Sequence, residues 1–175
     1  MLTGGAHRGF TLIEMIISMV IIAILMALAV PSFKIMMTNA QIRTAAQALH
    51  DGLQLARVEA IRRNERVLFT KGVRSGWSVS IESNSFTVQQ RPSTEGSNIA
   101  EVAVTPSGAT KVTFNALGRT VANTDISASI SQLDIDVPTS VLPASDSREM
   151  RVTISAGGAI RLCDPNATSG VGMGC

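Results

Sequence analysis

The sequence predicts an α+β protein, with a long N-terminal α-helix whose C-terminal half packs on an antiparallel β-sheet domain. Three observations carry that prediction. A continuous apolar run extends from Leu12 to Val30, an amphipathic helical pattern follows it to about Asn64, and short alternating segments punctuated by Gly, Pro, Ser and Asn fill the remainder. The implied organisation is 1–9 as a short polar leader, 10–31 as a hydrophobic helix, 32–64 as its amphipathic continuation, and 65–175 as a β-rich globular domain. That last part is about 110 residues, enough to bury a core of its own.

Between Leu12 and Val30 the only charge is Glu14 and the only hydroxyl is Ser18. At about 1.5 Å rise per residue such a helix spans a little under ~30 Å, a bilayer core. The residues before it read MLTGGAHRG. A secretory signal places its apolar stretch ahead of a small-residue cleavage site; here the basic leader and Gly9 come first and the apolar run follows. Cleavage after Gly9 would leave the hydrophobic segment on the mature chain, starting at Phe10. Arg8 ahead of the run also fits a plain transmembrane anchor with a cytoplasmic basic start. Glu14 argues for something more, because a carboxylate inside an apolar segment is costly without a partner. A freed α-amine at Phe10, in the same chain or a neighbour, is the natural counter-ion. A buried pair of that kind is weak as a stabiliser and good at setting register.

Beyond Pro31 the pattern turns amphipathic. Ile42, Ala45, Leu49, Leu53, Ala56 and Ala60 recur at spacings of three or four, while Arg43, Gln47, Gln54 and Arg57 fall at other angles. Pro31 removes a backbone hydrogen bond and is expected to kink or locally melt the helix. Gly52 reads as a tolerated weak point. The cluster RVEAIRRNER, Arg57 to Arg66, reads either as a polyanion patch or as a solvated helix end. The second reading is favoured: Arg62, Arg63 and Arg66 suit the C-terminal dipole, and Glu59 is spaced to pair with Arg62 or Arg63.

The expected strands are Arg66–Thr70, Trp77–Glu82, Ser85–Gln89, Glu101–Thr105, Lys111–Phe114, Ser127–Val137, Glu149–Ser155 and Ala159–Leu162, arranged in one antiparallel sheet or two small ones. Arg91–Ser97 and Pro138–Ser147 read as surface loops.

Composition narrows the function. Net charge is +2, low for a general nucleic-acid binder, and one Trp, five Phe and no Tyr make a poor base-stacking surface. Cys163 and Cys175 form no Cys-x-x-Cys motif and lack a nearby His, so no zinc site is expected. His7 lies in the leader, and His50 beside Asp51 on the long helix reads as a surface residue rather than a general base. No Gly-x-Ser-x-Gly, phosphate loop or carboxylate dyad is evident. The chain reads as a non-enzyme without cofactors.

The stretch GFTLIEMIISMVIIAILMALAVPSF resembles the class III signal sequence of type IV pilins and type II secretion pseudopilins. The resemblance implies a type IV pilin-like fold and cleavage between Gly9 and Phe10 by prepilin peptidase. It further implies N-methylation of Phe10, an assembly role for Glu14 and a helix kink at Pro31. LQLARVEAIRRNERVLF (Leu53 to Phe69), VTFNALGR (Val112 to Arg119) and RVTISAGGAIRLCDP (Arg151 to Pro165) are similar to segments of the minor-pilin group called GspH/FimT. The implied role is a minor pilin at or near the pilus tip that helps prime assembly. The alternatives are a DNA-binding minor pilin for DNA uptake and a type II secretion minor pseudopilin. The implied partners are other major and minor pilins or pseudopilins, prepilin peptidase, the inner membrane and, in the uptake reading, DNA. The domain would face the periplasm before assembly and then join the pilus or pseudopilus. In that oxidising compartment Cys163 and Cys175 are expected to form a disulfide, contributing about 3 kcal/mol by chain entropy. Members of the FimT branch bind DNA through Gly-Arg-x-Arg in the C-terminal hairpin. This chain has Gly158-Ala159-Ile160-Arg161 there, with the first Arg replaced. Arg161, Arg151, Arg148 and Arg119 are the candidate DNA contacts.

Overall fold

The computed structural model describes residues 10–167 and 174–175. Helix α1 (Leu12–Arg63) precedes strands β1 (Val67–Lys71), β2 (Trp77–Ile81), β3 (Thr87–Arg91), β4 (Glu101–Thr105), β5 (Lys111–Phe114), β6 (Thr120–Val121), β7 (Gln132–Asp136), β8 (Met150–Ile154) and β9 (Ile160–Cys163). The chain divides into two compact units, Met1–Met36 and Met37–Cys175.

In the first unit the described residues from Leu12 onward are helical, and the helix runs through Pro31 without interruption. The local melting expected there does not occur. Every large apolar side chain from Phe10 to Phe33 is at least half exposed, so this stretch has no cover among the described residues of its own unit.

The second unit contains the rest of α1 and two antiparallel sheets. The expected stripe is borne out: Ile42, Ala45, Leu49, Leu53, Ala56 and Ala60 are fully buried. α1 stops by a Schellman arrangement. Asn64 takes φ 55°, Glu65 N donates to Ala60 O at 3.3 Å, and Asn64 N donates to Ile61 O at 3.3 Å. The first sheet has the order β3-β2-β1-β5-β6 and the second β4-β7-β8-β9. Strand alternation turns Val67, Phe69, Trp77, Val79, Val112 and Phe114 of the first sheet into the core, with Leu133, Ile135 and Val152 of the second.

Three details depart from expectation. Gly52 is a close-packing position rather than a weak point: a Cβ there would lie 2.7 Å from Trp77 Cδ2 and Cε2. β7 begins at Gln132 rather than Ser127, because Asn123 Nδ2 takes the Ser127 and Ala128 carbonyls at 3.0 and 3.3 Å and keeps them out of a ladder. β3 begins at Thr87 because Ser85 has φ 57° and Phe86 N donates to Asn84 Oδ1 at 3.0 Å, which makes a turn.

Candidate functional site

The leader and Gly9, with the bond assigned to cleavage, lie outside the described residues. At the start of α1, Thr11 and Glu14 close a reciprocal cap. Thr11 N donates to Glu14 Oε2 at 3.4 Å and Glu14 N donates to Thr11 Oγ1 at 3.3 Å. This is a capping box, with Thr11 as N-cap and Glu14 at the third helical position. Ser18 Oγ donates to Glu14 O at 2.7 Å. In the chain still joined through Gly9, Glu14 therefore has a local partner. The residue that supplies it, Thr11, was missed, although the spacing T-x-x-E announces it. Phe10 is exposed and lies four residues before Glu14, just outside the helix that Thr11 caps.

The basic cluster at the end of α1 is engaged within the domain. Glu59 is buried and takes Arg62 Nη2 and Arg63 Nε, each at 2.7 Å. The hydrogen bond from Arg62 and then that from Arg63 hold its carboxyl below the ordinary carboxylate range. Arg57 Nε donates to Gly118 O at 3.2 Å. Arg66 reaches Glu82 Oε2 at 2.8 Å and Ala122 O at 2.6 Å. Arg57 and Arg66 tie the helix end to neighbouring segments, while Arg62 and Arg63 are matched by Glu59 within the helix.

The four candidate arginines fall in three places. Arg151 on β8 and Arg161 on β9 share the outer face of the second sheet, as the pairs Arg151↔Cys163 and Thr153↔Arg161 require. Three acids lie on that face too: Asp134 opposite Arg151, Asp136 two residues on, and Glu101 opposite Asp136. Arg151 Nε sits 2.5 Å from Asp134 Oδ1. Two arginines among three carboxylates give the face no excess of positive charge. Sequence order hid this mixture, because only the strand register brings Glu101 beside Asp136. Arg148 is exposed ahead of β8, where its backbone N donates to Asn39 Oδ1 at 2.9 Å. Arg119 is exposed on the turn between β5 and β6.

That turn meets the tip of the β8–β9 hairpin. Gly158 has φ 80°, and a Cβ on it would lie 1.8 Å from Gly118 O. The glycine of the motif position is thus dictated by backbone contact between two turns. Cys163 and Cys175 form a disulfide, and Asp164 bridges to Gly174 in parallel beside it. His50 Nδ1 lies 3.3 Å from Asp51 Oδ1 on exposed helix. No group of three or more potential metal ligands occurs among the described residues.

The family described as type II transport protein GspH matches residues 45–158, and the prokaryotic N-terminal methylation motif matches residues 5–30. None of the curated proteins compared matches the chain. Among solved structures, the type IV minor pilin FimU of Pseudomonas aeruginosa is similar with TM-score 0.50 and 18% identity, over 70% of this chain and 88% of that one. A second crystal form of FimU gives TM-score 0.48 and 18% identity, over 69% and 90%. The likeness of the first form is one of fold, a long helix with antiparallel sheets. Together with the two sequence matches it leads to one conclusion: the chain belongs to the GspH family, as a GspH/FimT-like member of the type IV minor pilin and pseudopilin class.

Proposed function

We propose that this chain is a minor pilin, cut between Gly9 and Phe10 by prepilin peptidase, methylated at Phe10, and built into a type IV pilus at or near its tip to help prime assembly. The observation that carries this reading is an apolar helical stretch left uncovered among the described residues of its unit, interrupted by a single carboxylate. Lipid solvates such a helix before assembly, with the second unit in the periplasm. Packing against the helices of other pilins replaces the lipid afterwards, with little change in how apolar its surroundings are.

Glu14 supplies direction in this scheme. Cutting the bond before Phe10 turns a peptide nitrogen into an ammonium four residues from the carboxylate. The two charges then attract strongly in an apolar setting, within one subunit or between neighbours. Because an unpaired charge there is costly, subunits are favoured at axial positions that pair it. The second unit needs nothing from the filament for its core, so it can be presented as a rigid body. Tip placement is the part of the reading supported only by likeness to the minor pilins.

Glu14→Ala and Glu14→Gln test the reading. Filaments sheared from cells expressing either variant should contain about tenfold less of this chain or fewer copies still, with membrane levels unchanged, because an apolar-site charge pair is worth several kcal/mol when broken. Undiminished incorporation of both variants would refute it. A second reading, a minor pseudopilin of type II secretion, is favoured by the description of the matching family. Deleting the chain separates the two: loss of piliation supports the first, and loss of protein secretion with intact pili supports the second.

A further inference from the structure

The segment between β6 and β7 contains a residue that neither the core nor the assembly helix explains. Ile126 has φ 64° and its side chain is 93% exposed. A β-branched residue in the left-handed region costs about 1–2 kcal/mol, and here no burial offsets the cost. Single exposed apolar residues are ordinary. One held out in a strained backbone is not, and such strain persists only where the surroundings over-determine it.

The surroundings do so here. Arg66 Nη2 donates to Ala122 O at 2.6 Å. Thr113 Oγ1 donates to Asn123 Oδ1 at 2.9 Å, and Asn123 itself is buried. Asn123 Nδ2 donates to Ser127 O at 3.0 Å, and Ser127 Oγ donates to Asp125 Oδ1 at 2.7 Å. The Thr124 hydroxyl donates to Glu82, and Lys111 pairs with Asp125. Thr113 and Lys111 alternate with the core-facing Val112 and Phe114, so the segment is pinned across the outer face of the first sheet.

The same bonds neutralise the nearby charge. Asp125 is matched by Lys111, and Glu82 by Arg66. The other exposed positions of the segment are Ala122, Thr124, Ala128 and Ser131, together with the ion-paired Asp125. What is presented is one apolar knob beside an exposed acid, Asp125, whose charge Lys111 balances.

We propose that Ile126 is a preformed anchor that inserts into an uncharged apolar pocket on a neighbouring subunit of the filament. The proposal rests on the filament reading above and adds the contact through which the globular unit engages its neighbour. An apolar centre with a polar rim whose charges are already paired is the anatomy of an interface hot spot. Fixing the side chain in advance lowers the ordering cost of binding. A lipid surface would be met by unpaired basic residues around the knob, whereas here each nearby base is matched by an acid.

The test compares full-length wild type with Ile126→Gly, Ile126→Asn and Ile126→Met. Gly and Asn tolerate the left-handed backbone, so both variants should melt higher in detergent, by about 2–4 °C for Gly, while falling about fivefold or more in sheared filaments. Ile126→Met keeps an apolar knob and should be incorporated near the wild-type level. Equal incorporation of wild type and Ile126→Gly overturns the anchor and leaves the filament reading standing. Absence of wild type from sheared filaments overturns the filament reading and the anchor with it. Lower melting of Ile126→Gly overturns the strain argument. Binding of wild type to anionic lipid vesicles that is lost in Ile126→Asn, with filament incorporation unchanged, would assign the knob to lipid instead.

Discussion

From Phe10 to Phe33 the large apolar side chains are at least half exposed, whereas Ile42, Leu49 and Leu53 of the same helix are fully buried. Helix propensity does not separate these stretches, since both are rich in good helix formers. The difference is the partner. The second stretch finds the sheets of its own unit, and the first finds no cover among the described residues of its unit. One helix therefore carries two kinds of apolar surface, one used in folding and one that the proposed function assigns to lipid and other subunits. Changes in the second unit should shift unfolding, and changes in the first should shift assembly while leaving unfolding alone.

The largest effect within the second unit is expected from Gly158→Ala. Its Cβ would lie 1.8 Å from Gly118 O, at a residue with φ 80°. Overpacking and left-handed strain together should cost about 3 kcal/mol or more, read from the urea midpoint. An unchanged midpoint would break the account of the two turns. Paired Cys163→Ser and Cys175→Ser substitutions come next, at about 2–3 kcal/mol, and reductant should reproduce the loss in wild type. Gly52→Ala sets two effects against each other. Helix propensity predicts a gain of about 1 kcal/mol. The 2.7 Å approach to Trp77 predicts a larger loss. Packing should win, leaving a net loss of about 1–2 kcal/mol together with a change in the fluorescence of the single Trp.

The smallest effect concerns Glu59. Its carboxyl is held below the ordinary value of 4.5, first by Arg62 and then by Arg63. The folded pKa is depressed, so the contribution to stability is complete above about pH 4.5 and fades as pH falls through the lower folded value. The melting difference between wild type and Glu59→Gln should therefore shrink in acid. A difference that stays constant through the acid range would contradict the pairing.

Much of this was legible in the sequence, for reasons that differ by region. The apolar run and the stripe from Ile42 to Ala60 are local periodicities, and β4 and β5 have the bounds that alternation and punctuation indicate. Long-range contact was not legible. Gly52 looks like a flaw until Trp77 lies against it. Gly158 looks like half of a binding motif until Gly118 is seen behind it. The mixed charge of Glu101, Asp134 and Asp136 with Arg151 and Arg161 exists only in the register of four strands. Thr11 is the opposite case, a local signal overshadowed by the charge of Glu14. β6 was missed because two residues make too short an alternation to detect.

The claim on which the functional account rests is that the apolar helix stays on the mature chain with a new amine beside Glu14. Intact-mass and terminal-peptide spectrometry of the chain from sheared filaments measures this directly. The account predicts a first residue of N-methylated Phe10 with Cys163 and Cys175 joined. A mature chain that kept residues 1–9, or that began within or beyond the apolar run, would contradict it.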